Sequence, residues 1–243
     1  MHRLLTGASS GIGRSLVARW ARPGSLLSLQ GRDSARLVEV ADRARAAGAE
    51  VETALLDVRD TQAVRAWVEA RDDAVPIDMV VANAGIAGSP GVPASDIMAV
   101  NVVGKIATVD ALLPRMRSRR RGHVVLVSSL ASFFASPTGP AYAASKAALR
   151  FYGEGLSPRV AKDGVLVSVV CPGFVDTPLT RVNRFRMPFL MDAERAAFII
   201  DRGLQARRSR IAFPLPTYVL ARIMGTLPAV LRDAILMRQP AKE

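Results

Sequence analysis

Residues 6–13 read Thr-Gly-Ala-Ser-Ser-Gly-Ile-Gly and stand between a short apolar run and a stretch with the apolar spacing of a helix. Glycines let the backbone turn tightly there and approach a bound group closely. The helix that follows would direct free backbone N–H groups and the positive end of its dipole towards the turn, which favours phosphate binding. The segment therefore predicts a strand, a phosphate-binding turn and a helix. An ordinary glycine-rich turn is the alternative for a lone motif.

The alternation of apolar runs and helical stretches continues from residues 6–13 to about Val175. The apolar runs occupy residues 3–6, 25–29, 51–56, 79–82, 124–127 and 166–170. Between them the spacing is helical, and Ile12, Leu16 and Trp20, for example, share one helix face. This alternation is typical of α/β proteins, so we predict a Rossmann-type doubly wound parallel sheet with helices on both faces. Without a repeat or linker to divide it, the chain is predicted to form a single domain over residues 1–243.

Composition and length exclude several classes of protein. With 243 residues, half of them apolar, the chain is long enough for a large hydrophobic core. The single cysteine, Cys171, cannot form an internal disulfide and is expected to be a buried apolar residue rather than a nucleophile. A cytoplasmic location is therefore expected, with no targeting segment. The longest uncharged stretch, residues 122–145, contains serines and prolines that argue against a membrane-spanning helix.

The formal net charge of +12 raises the question of an anionic partner. Residues 181–243 carry 12 basic against 5 acidic side chains, whereas residues 1–180 carry 21 against 16. Five arginines fall within residues 115–121, at a predicted helix end. Because no aromatic side chain is interleaved with them, a solvated helix terminus is favoured there over a nucleic-acid site. We therefore expect no specific nucleic-acid partner.

Further motifs follow the glycine-rich segment in a set order. They are Asp57-Val58, Asn83-Ala84-Gly85, Asn101, Ser129, Tyr142-Ala143-Ala144-Ser145-Lys146 and Pro172-Gly173-Phe174-Val175-Asp176-Thr177. Six motifs in order over about 170 residues are far more specific than any one of them. Together with residues 6–13 they resemble the motifs of the short-chain dehydrogenase/reductase family. The resemblance implies an NAD(P)-dependent enzyme that transfers a hydride between nicotinamide and a carbonyl or secondary alcohol.

The spacing of three residues supports proton transfer independently of the resemblance. Tyr142 and Lys146 lie four residues apart in an alanine-rich segment, so on a helix their side chains share one face. An ammonium group near a phenol favours the ionised phenol, which suits a tyrosine to act as an acid and base near neutral pH. Ser129, at a predicted strand end, supplies a hydroxyl that can hold a substrate oxygen. Ser128 is the rival for this role, and the spacing to Tyr142 favours Ser129.

The resemblance also assigns roles to individual residues, and it implies no metal. Ser129, Tyr142 and Lys146 are the implied catalytic residues, and Asn101 is implied to complete a proton relay through water. Lys146 is also implied to bind the nicotinamide ribose. The residues implied in cofactor binding are Gly7, Ser9, Ser10, Gly11, Ile12, Gly13, Arg32, Asp57, Val58, Asn83, Ala84, Gly85, Tyr142, Lys146, Pro172, Gly173, Val175 and Thr177. Of these, Asp57 would contact the adenine ring, Asn83-Ala84-Gly85 the adenine-ribose side and Thr177 the nicotinamide carboxamide.

The residues after the second predicted strand bear on the choice of cofactor. They read Gln30-Gly31-Arg32-Asp33. An acid at this point accepts the ribose hydroxyls of NAD, whereas an arginine meets the 2′-phosphate of NADP. Arg32 therefore favours NADP, and the positive net charge agrees with the more anionic cofactor. Asp33 keeps NAD as the alternative.

Pro158 departs from the family's pattern, because it falls in the helix after Lys146 and is expected to kink or end that helix. In the family this helix commonly forms the subunit interface. A homo-oligomer is therefore expected, either a dimer or a tetramer, and a standard tetramer is not assumed.

Residues 178–243 correspond to the family's variable substrate region and are predicted to form a helical extension that covers the substrate. Within it, residues 213–238 are rich in apolar side chains set among Arg222, Arg232 and Arg238. They are predicted to form two helices, broken near Pro228, that cover the substrate cleft or a subunit face. A peripheral membrane contact is the alternative. An apolar cover suggests a lipophilic substrate.

The sequence thus favours an NADP(H)-preferring oxidoreductase of a lipophilic carbonyl or secondary alcohol, with Tyr142 as general acid and base. An NAD-linked alcohol dehydrogenase of the same fold is one alternative. A non-catalytic NADPH-sensing protein and a basic RNA- or membrane-binding protein are the others. Because regulators of this fold tend to lose the Tyr-Lys pair, the presence of Tyr142 and Lys146 argues against the sensing protein.

Overall fold

Seven parallel strands form one sheet in the computed structural model, which describes residues 1–88, 91–182 and 187–236. The strands are β1 (His2–Thr6), β2 (Leu26–Gly31), β3 (Glu50–Leu55), β4 (Met79–Ala82), β5 (Gly122–Val127), β6 (Val165–Pro172) and β7 (Arg210–Phe213). Their order across the sheet is β3-β2-β1-β4-β5-β6-β7, and every neighbouring pair is parallel. The six predicted strands and the doubly wound α/β fold are confirmed.

Helices cover both faces of the sheet. They are α1 (Gly11–Trp20), α2 (Ser34–Ala46), α3 (Thr61–Ala74), α4 (Ala94–Met98), α5 (Gly104–Ser118), α6 (Pro140–Ala161), α7 (Ala193–Gln205), α8 (Leu215–Thr226) and α9 (Ala229–Leu236). A π-helical turn (Ala99–Val103) joins α4 to α5, and a 3₁₀ turn (Leu130–Phe133) follows β5. Helices α1, α2 and α7 pack on one face of the sheet, and α3, α5 and α6 on the other.

The central strands are apolar along their length because their side chains alternate between two cores. Leu5 and Val125 belong to the core beneath α1, α2 and α7. Leu4 and Val124 belong to the core beneath α3, α5 and α6. Since successive side chains of a strand point to opposite faces, a strand covered on both faces needs an unbroken apolar run. The runs in the sequence therefore reflect burial on both faces.

The strand order reverses between β1 and β4. From β1 the chain continues outward to β3 on one side, and from β4 it continues to β7 on the other. In open parallel sheets a crevice forms at such a reversal, beyond the carboxyl ends of the strands. Thr6 at the end of β1 and Ala82 at the end of β4 therefore mark the expected place of a binding site.

The sequence analysis missed β7, which pairs with β6 from Val169 to Pro172. This strand has four residues, and it begins with Arg210, which forms an ion pair with Glu154 of α6. A strand so short, with a charged residue at its start, has too few apolar side chains to be recognised as an apolar run.

The two helices predicted for residues 213–238 are confirmed, because α8 ends at Thr226 and α9 begins after Pro228. Helix α8 packs against β7 and the 3₁₀ turn. It leaves several apolar side chains exposed, as does α9; they are Leu215, Val219, Leu220, Ile223, Val230, Leu231 and Ile235. The contact with a subunit or a membrane stays a prediction, and Arg238 lies outside the described residues.

The expectation that Pro158 ends the helix after Lys146 is wrong, because α6 continues to Ala161, and a kink at Pro158 stays a prediction. Proline lacks an N–H, so within a helix it removes one hydrogen bond to the preceding turn. Pro158 lies in the last turn of α6, so the one bond that its missing N–H removes falls near the end of the helix. Leu156 and Val160, on either side of it, are buried in the core and keep this turn packed on the sheet.

Four of the five arginines of residues 115–121 form ion pairs, and the fifth, Arg120, donates to the carbonyl of Lys162 at 2.9 Å. Arg115 pairs with Asp73, Arg117 with Asp163, Arg119 with Asp72 and Arg121 with Asp78. Arg119 also donates to the carbonyl of Ile77 at 2.7 Å, while Asp72 accepts from the backbone N–H of Ile77 at 2.8 Å. These contacts fasten the end of α5 to the end of α3 and to the segment before β4. The cluster therefore has a structural role, and the expectation of no specific nucleic-acid partner stays a prediction.

The continuous helix from Ala94 to Ser118 is long and apolar enough to cross a membrane, by length and composition alone. Half of its apolar stretch is buried inside the protein. Leu112 and Met116, for example, are fully buried in the core beneath α3, α5 and α6. The apolar character of this helix is accounted for by its place in the core.

A buried histidine predicts how stability depends on pH. His123 of β5 is 6% exposed, its Nε2 lies 2.8 Å from the Ser168 hydroxyl, and burial together with the charge of Arg207 lowers its pKa to about 4. An unfolded histidine titrates near 6.5, so between pH 6.5 and 4 the unfolded chain binds a proton that the folded chain does not. This group therefore stabilises the fold fully above pH 6.5, and its contribution falls as the pH is lowered towards 4.

We expect the free energy of unfolding in urea to fall between pH 7 and pH 4.5, with His123 contributing about 2 kcal/mol of the loss. In His123→Gln, which keeps a hydrogen-bonding side chain but cannot titrate, the loss should be smaller by that amount. Equal losses in both proteins would contradict the assignment. His2, whose pKa burial also lowers, remains in both proteins and accounts for part of the residual loss.

Candidate active site

A cleft opens at the carboxyl ends of β1, β4, β5 and β6. It is lined by the glycine-rich turn after β1, the segment after β4, the end of β5, one face of α6 and the loop after β6. The predicted site residues that line it are Gly7, Ser10, Gly11, Ile12, Asn83, Ala84, Gly85, Ser129, Tyr142, Lys146, Pro172, Gly173, Val175 and Thr177. Those outside the lining are Ser9, Gly13, Arg32, Asp57, Val58 and Asn101. The described parts of α8 and α9 contribute no residue to the lining.

The glycine-rich turn leaves the start of α1 facing the cleft. Gly7 and Gly11 have positive φ angles of 68° and 51°, a conformation that favours glycine. A Cβ on Gly13 would lie 2.1 Å from the Gly7 carbonyl oxygen, so only glycine fits there. Ser10 precedes the helix and its side chain forms no cap hydrogen bond. The backbone N–H groups of the first turn are thus left for a bound anion, and this cradle fits the pyrophosphate of a dinucleotide.

The turn is held in place by hydrogen bonds from neighbouring strands. The Asn83 side-chain amide donates to the carbonyls of Thr6 and Gly7 at 3.1 and 3.0 Å. The Thr6 hydroxyl accepts from the backbone N–H groups of Asn83 and Ala84. Gly7 N–H donates to the side chain of Gln30 at 3.0 Å. Asn83 therefore shapes the turn with its amide, and the sequence analysis missed Gln30, which is buried at the end of an apolar strand.

The two serines after β5 have different surroundings. The Ser128 hydroxyl is buried and donates to the carbonyl of Lys146 at 2.7 Å. The Ser129 hydroxyl accepts from the N–H of Ala131 at 3.1 Å and donates a longer bond of 3.4 Å to the carbonyl of Pro172. A donor held this loosely can turn to a substrate oxygen, whereas the Ser128 hydroxyl is committed to the helix. The geometry agrees with the preference for Ser129.

Tyr142 and Lys146 share one face of α6, as their spacing predicts. Tyr142 lies in the first turn of the helix and is half-buried, while Lys146 is buried one turn later. The Nζ of Lys146 lies 5.3 Å from the centre of the Tyr142 ring and 3.4 Å from the carbonyl oxygen of Val127. A positive charge is thereby held beside the phenol, inside the cleft, where little water screens it.

Asn101 lies in the π-helical turn before α5, and its side chain does not reach the cleft. Its amide oxygen accepts from the N–H of Ile86 at 2.9 Å, and its amide nitrogen donates to the carbonyl of Ile86 and the hydroxyl of Ser145. These bonds fasten the segment after β4 to α5 and α6. Both N–H groups of the Asn101 amide are therefore engaged, and the part of Asn101 in a proton relay stays a prediction.

The end of β2 carries the residues that bear on the choice of cofactor. The Asp33 carboxylate caps α2 by accepting from the N–H of Arg36 at 3.0 Å, and it also pairs with the Arg36 guanidinium. Arg32 is about half exposed, and its Nη1 lies 3.8 Å from the carboxylate of Asp57. A side-chain hydrogen bond from Arg59 lowers the pKa of Asp57. Among these residues Arg32 has the most weakly engaged charge.

Ser9 and Val58 belong to the packing around the cleft. A Cβ on Gly31 would lie 3.1 Å from the Ser9 hydroxyl, which places Ser9 beside the end of β2. Val58 is buried, and its carbonyl lies 2.5 Å from the position of a Cβ on Gly104. Val58 therefore packs closely against the start of α5.

The loop after β6 closes over the glycine-rich turn. A Cβ on Gly11 would lie 2.8 Å from the methyl group of Thr177. Thr180 fixes the loop, because its hydroxyl accepts from the N–H of Thr177 and donates to the carbonyl of Val175. Cys171, just before the loop, is buried, and burial raises the pKa of its thiol to about 12. As expected, it has the surroundings of an inert core residue rather than a nucleophile.

The sequence is similar to a known protein family and to individual proteins. Residues 2–186 match the family model described as short chain dehydrogenase. Over 242 residues the chain is 40% identical to a protein of Myxococcus xanthus named an uncharacterized oxidoreductase, covering 97% of this chain and 96% of that one.

Two solved structures resemble the fold over the whole chain. One is a short-chain dehydrogenase from Sphingobium yanoikuyae in complex with NADPH, with 26% identity, a TM-score of 0.83 and coverage of 100% of this chain and 97% of the other. The second is a short chain dehydrogenase/reductase from Burkholderia phymatum in complex with NAD, with 26% identity, a TM-score of 0.82 and coverage of 100% and 96%. The two similar proteins thus bind different forms of the dinucleotide.

Proposed function

The chain belongs to the short-chain dehydrogenase family, and on that premise we propose that it is an NADP(H)-preferring oxidoreductase with Tyr142 as general acid and base. Family membership makes it an NAD(P)-dependent oxidoreductase of alcohols and carbonyls. The observation that carries the finer proposal is the meeting of Ser129, Tyr142 and Lys146 in one cleft, next to the uncapped start of α1.

The residues of the cleft fit a dinucleotide. The backbone of the glycine-rich turn and the first N–H groups of α1 would hold the pyrophosphate. Ala84 and Gly85 would lie along the adenine-ribose side, and Thr177 would bind the carboxamide. When bound, the nicotinamide supplies or accepts the hydride. No further group is needed for the redox step, because the alcohol and carbonyl forms of the substrate differ by one hydride and one proton.

The chain's own residues handle the proton. In the direction of reduction, the Tyr142 hydroxyl donates its proton to the carbonyl oxygen of the substrate, and in oxidation the phenolate takes it back. The Ser129 hydroxyl donates a hydrogen bond to the same oxygen and so stabilises the charge that develops there. The Lys146 ammonium, beside the ring, stabilises the phenolate. The three side chains with these roles, Ser129, Tyr142 and Lys146, all line the cleft.

The preference for NADP rests on the charges at the end of β2. A carboxylate free to meet the ribose hydroxyls would repel a 2′-phosphate. Here β2 ends in Gly31, and the carboxylate of Asp33 is taken up by capping α2. The Arg32 guanidinium is exposed and can form charge-assisted hydrogen bonds to a phosphate. An NAD-linked enzyme is the second candidate, and the observation in its favour is that Asp57 already lies within ion-pair distance of Arg32.

A lipophilic substrate is supported by the mouth of the cleft beyond Thr177. The exposed Pro178 and the half-buried Leu179 line this part of the cleft with apolar side chains. An apolar side chain of the substrate would displace water from them, which is favourable in proportion to the area buried. The proposal therefore names the carbonyl or secondary alcohol of a hydrophobic molecule as the substrate class.

In Arg32→Ala we expect the Kd for NADPH to rise about 10-fold or more and that for NADH to change less than about twofold. The reason is that a charge-assisted bond to the 2′-phosphate contributes about 1.5–3 kcal/mol, and NADH lacks this phosphate. Fluorescence titration of the purified protein measures both constants. Arg45→Ala, an exposed arginine later in α2, is the matched control. Equal weakening of both nucleotides by Arg32→Ala would refute the assignment.

In Tyr142→Phe we expect kcat to fall about 10²- to 10⁴-fold, because the variant cannot donate the proton. Binding of NADPH should change little, since the ring is kept. Tyr152→Phe is the control: this tyrosine also belongs to α6, but its hydroxyl bonds to Asp110 outside the cleft. Near-normal turnover by Tyr142→Phe with the best substrate would rule out the mechanism.

In Leu179→Gln we expect kcat/KM for hydrophobic ketones to fall about 10-fold and that for small polar ketones to change little. The polar side chain removes apolar contact with the substrate at the cleft mouth. Leu220→Gln, on the exposed face of α8, should leave both substrate groups unaffected if the cleft alone selects them. A uniform loss across polar and hydrophobic substrates in Leu179→Gln would argue against a lipophilic substrate.

A further inference from the structure

A second buried lysine lies beneath Lys146. Lys105 belongs to α5, one helical turn after Asn101, and is 1% exposed. Its Nζ donates to the carbonyl oxygen of Val127 at 2.6 Å. In the part of the chain that the structure describes, no carboxylate pairs with it. Among the described residues, the buried amine of Lys105 therefore has a backbone carbonyl, and not an acid, as its hydrogen-bond partner.

The two lysines share their partners. The Nζ of Lys146 also donates to the carbonyl oxygen of Val127, at 3.4 Å, so the two amines meet at one oxygen. Two ammonium ions beside one oxygen in a buried site would repel each other strongly, which favours a single positive charge on the pair. Burial, followed by the charge of Lys146, holds the pKa of Lys105 well below its ordinary value. The fully buried Lys105, rather than Lys146 at the cleft, is therefore where a neutral amine is expected.

We propose that Lys105 is a positioning residue that fixes the ammonium group of Lys146 beside Tyr142. The inference rests on the proposed function of the cleft, to which it adds a residue that the family motifs quoted above do not include. In this proposal Lys105 is the neutral amine, and its lone pair accepts a hydrogen bond from Lys146 while its N–H donates to Val127. The Lys146 ammonium has three N–H groups. With Val127 and Lys105 as fixed acceptors for two of them, the third is left for groups in the cleft.

The position of Lys105 in the core supports a functional reason for its amine. Val109, Leu112 and Met116, further along α5, are buried in the apolar core beneath α3, α5 and α6. An apolar side chain of similar length at residue 105 would pack there without the desolvation of an amine. Buried polar groups that weaken a core occur preferentially where a site needs them. The amine of Lys105 lies next to that of Lys146, and the proposed reaction depends on the position of the Lys146 ammonium beside the Tyr142 ring.

The first test compares Lys105→Met with Lys162→Met, an exposed control at the end of α6. Methionine keeps the length of the side chain but cannot accept the bond from Lys146. We expect kcat to fall about 10- to 100-fold in Lys105→Met, because small displacements of catalytic groups have effects of this size. KM for the substrate should change less than about threefold, and the melting temperature should be no lower than that of the unchanged protein. A kcat within twofold of the unchanged protein would overturn the proposal.

The second test needs no turnover. The chain has four lysines, Lys105, Lys146, Lys162 and Lys242, so the NMR signals of ¹³Cε-labelled lysine are few and each can be assigned with a Lys→Met variant. At pH 7.5 and without nucleotide, we expect the Lys105 signal to have the chemical shift of a neutral amine. The Lys146 signal should move in Lys105→Met and stay unchanged in Lys162→Met. An ammonium shift for Lys105, or an unmoved Lys146 signal, would overturn the proposal.

The two tests separate this proposal from that of the cleft's function. If the unchanged protein reduces or oxidises no carbonyl or alcohol, the proposed function fails, and the NMR signals alone decide whether Lys105 holds Lys146. If the unchanged protein is active and the NMR signals are those of two independent ammonium groups, the proposed function stands and the role of Lys105 is refuted. Should Lys105→Met be unstable, the chemical shift of Lys105 in the unchanged protein decides between a neutral amine, which supports the proposal, and an ammonium, which overturns it.

Discussion

The amide of Asn83 joins the two central strands at the point where the strand order reverses. It donates to the carbonyls of Thr6 and Gly7, and the Thr6 hydroxyl accepts from the backbone of Asn83 and Ala84 in return. These four bonds hold the glycine-rich turn against the segment after β4. Because Gly13 packs directly on the Gly7 carbonyl, the start of α1 is fixed to the same junction. The anion cradle and the floor of the cleft therefore share one support.

The proton-transfer residues reach this junction from the other half of the sheet. Ser128 ties the end of β5 to the backbone of α6 at Lys146, so Ser129 and Tyr142 are placed by the same contact. Asn101 ties α5 to Ile86 and to Ser145 of α6. The side chains of Ser128 and Asn101 thus form hydrogen bonds that hold neighbouring segments of the site together. The groups left to face the cleft are those whose chemistry the proposed reaction uses. Neighbouring residues of the same type, such as Ser128 and Ser129, can therefore have different roles.

How much the sequence predicts depends on whether the signal is local. The six strands, the glycine-rich turn and the shared face of Tyr142 and Lys146 follow from spacing within a single segment. Gln30 and Lys105 were missed because their contacts, with Gly7 and with Val127 and Lys146, join segments far apart in the chain. The continuation of α6 through Pro158 also depends on packing, since the burial of Leu156 and Val160 outweighs the local preference. Local chemistry thus identifies the reacting groups, and tertiary contacts determine which of them are held still.

The roles of the charged residues also depend on tertiary contacts more than on local composition. The net charge of +12 invites a search for an anionic partner, yet the densest arginine cluster, residues 115–121, meets acidic side chains of α3, the segment before β4 and the end of α6. A pair at the surface contributes little to stability, but Asp72 is buried, and removing Arg119 would leave its carboxylate only the more distant Arg115, at 3.7 Å. Lys105 and Lys146 are the opposite case, because two basic groups meet with no acid among the residues that the structure describes. Two neighbouring lysines do not stabilise a fold as an ion pair does. In the proposal for Lys105 they serve the cleft instead, because a neutral amine at Lys105 accepts a hydrogen bond from the Lys146 ammonium and holds it beside the Tyr142 ring.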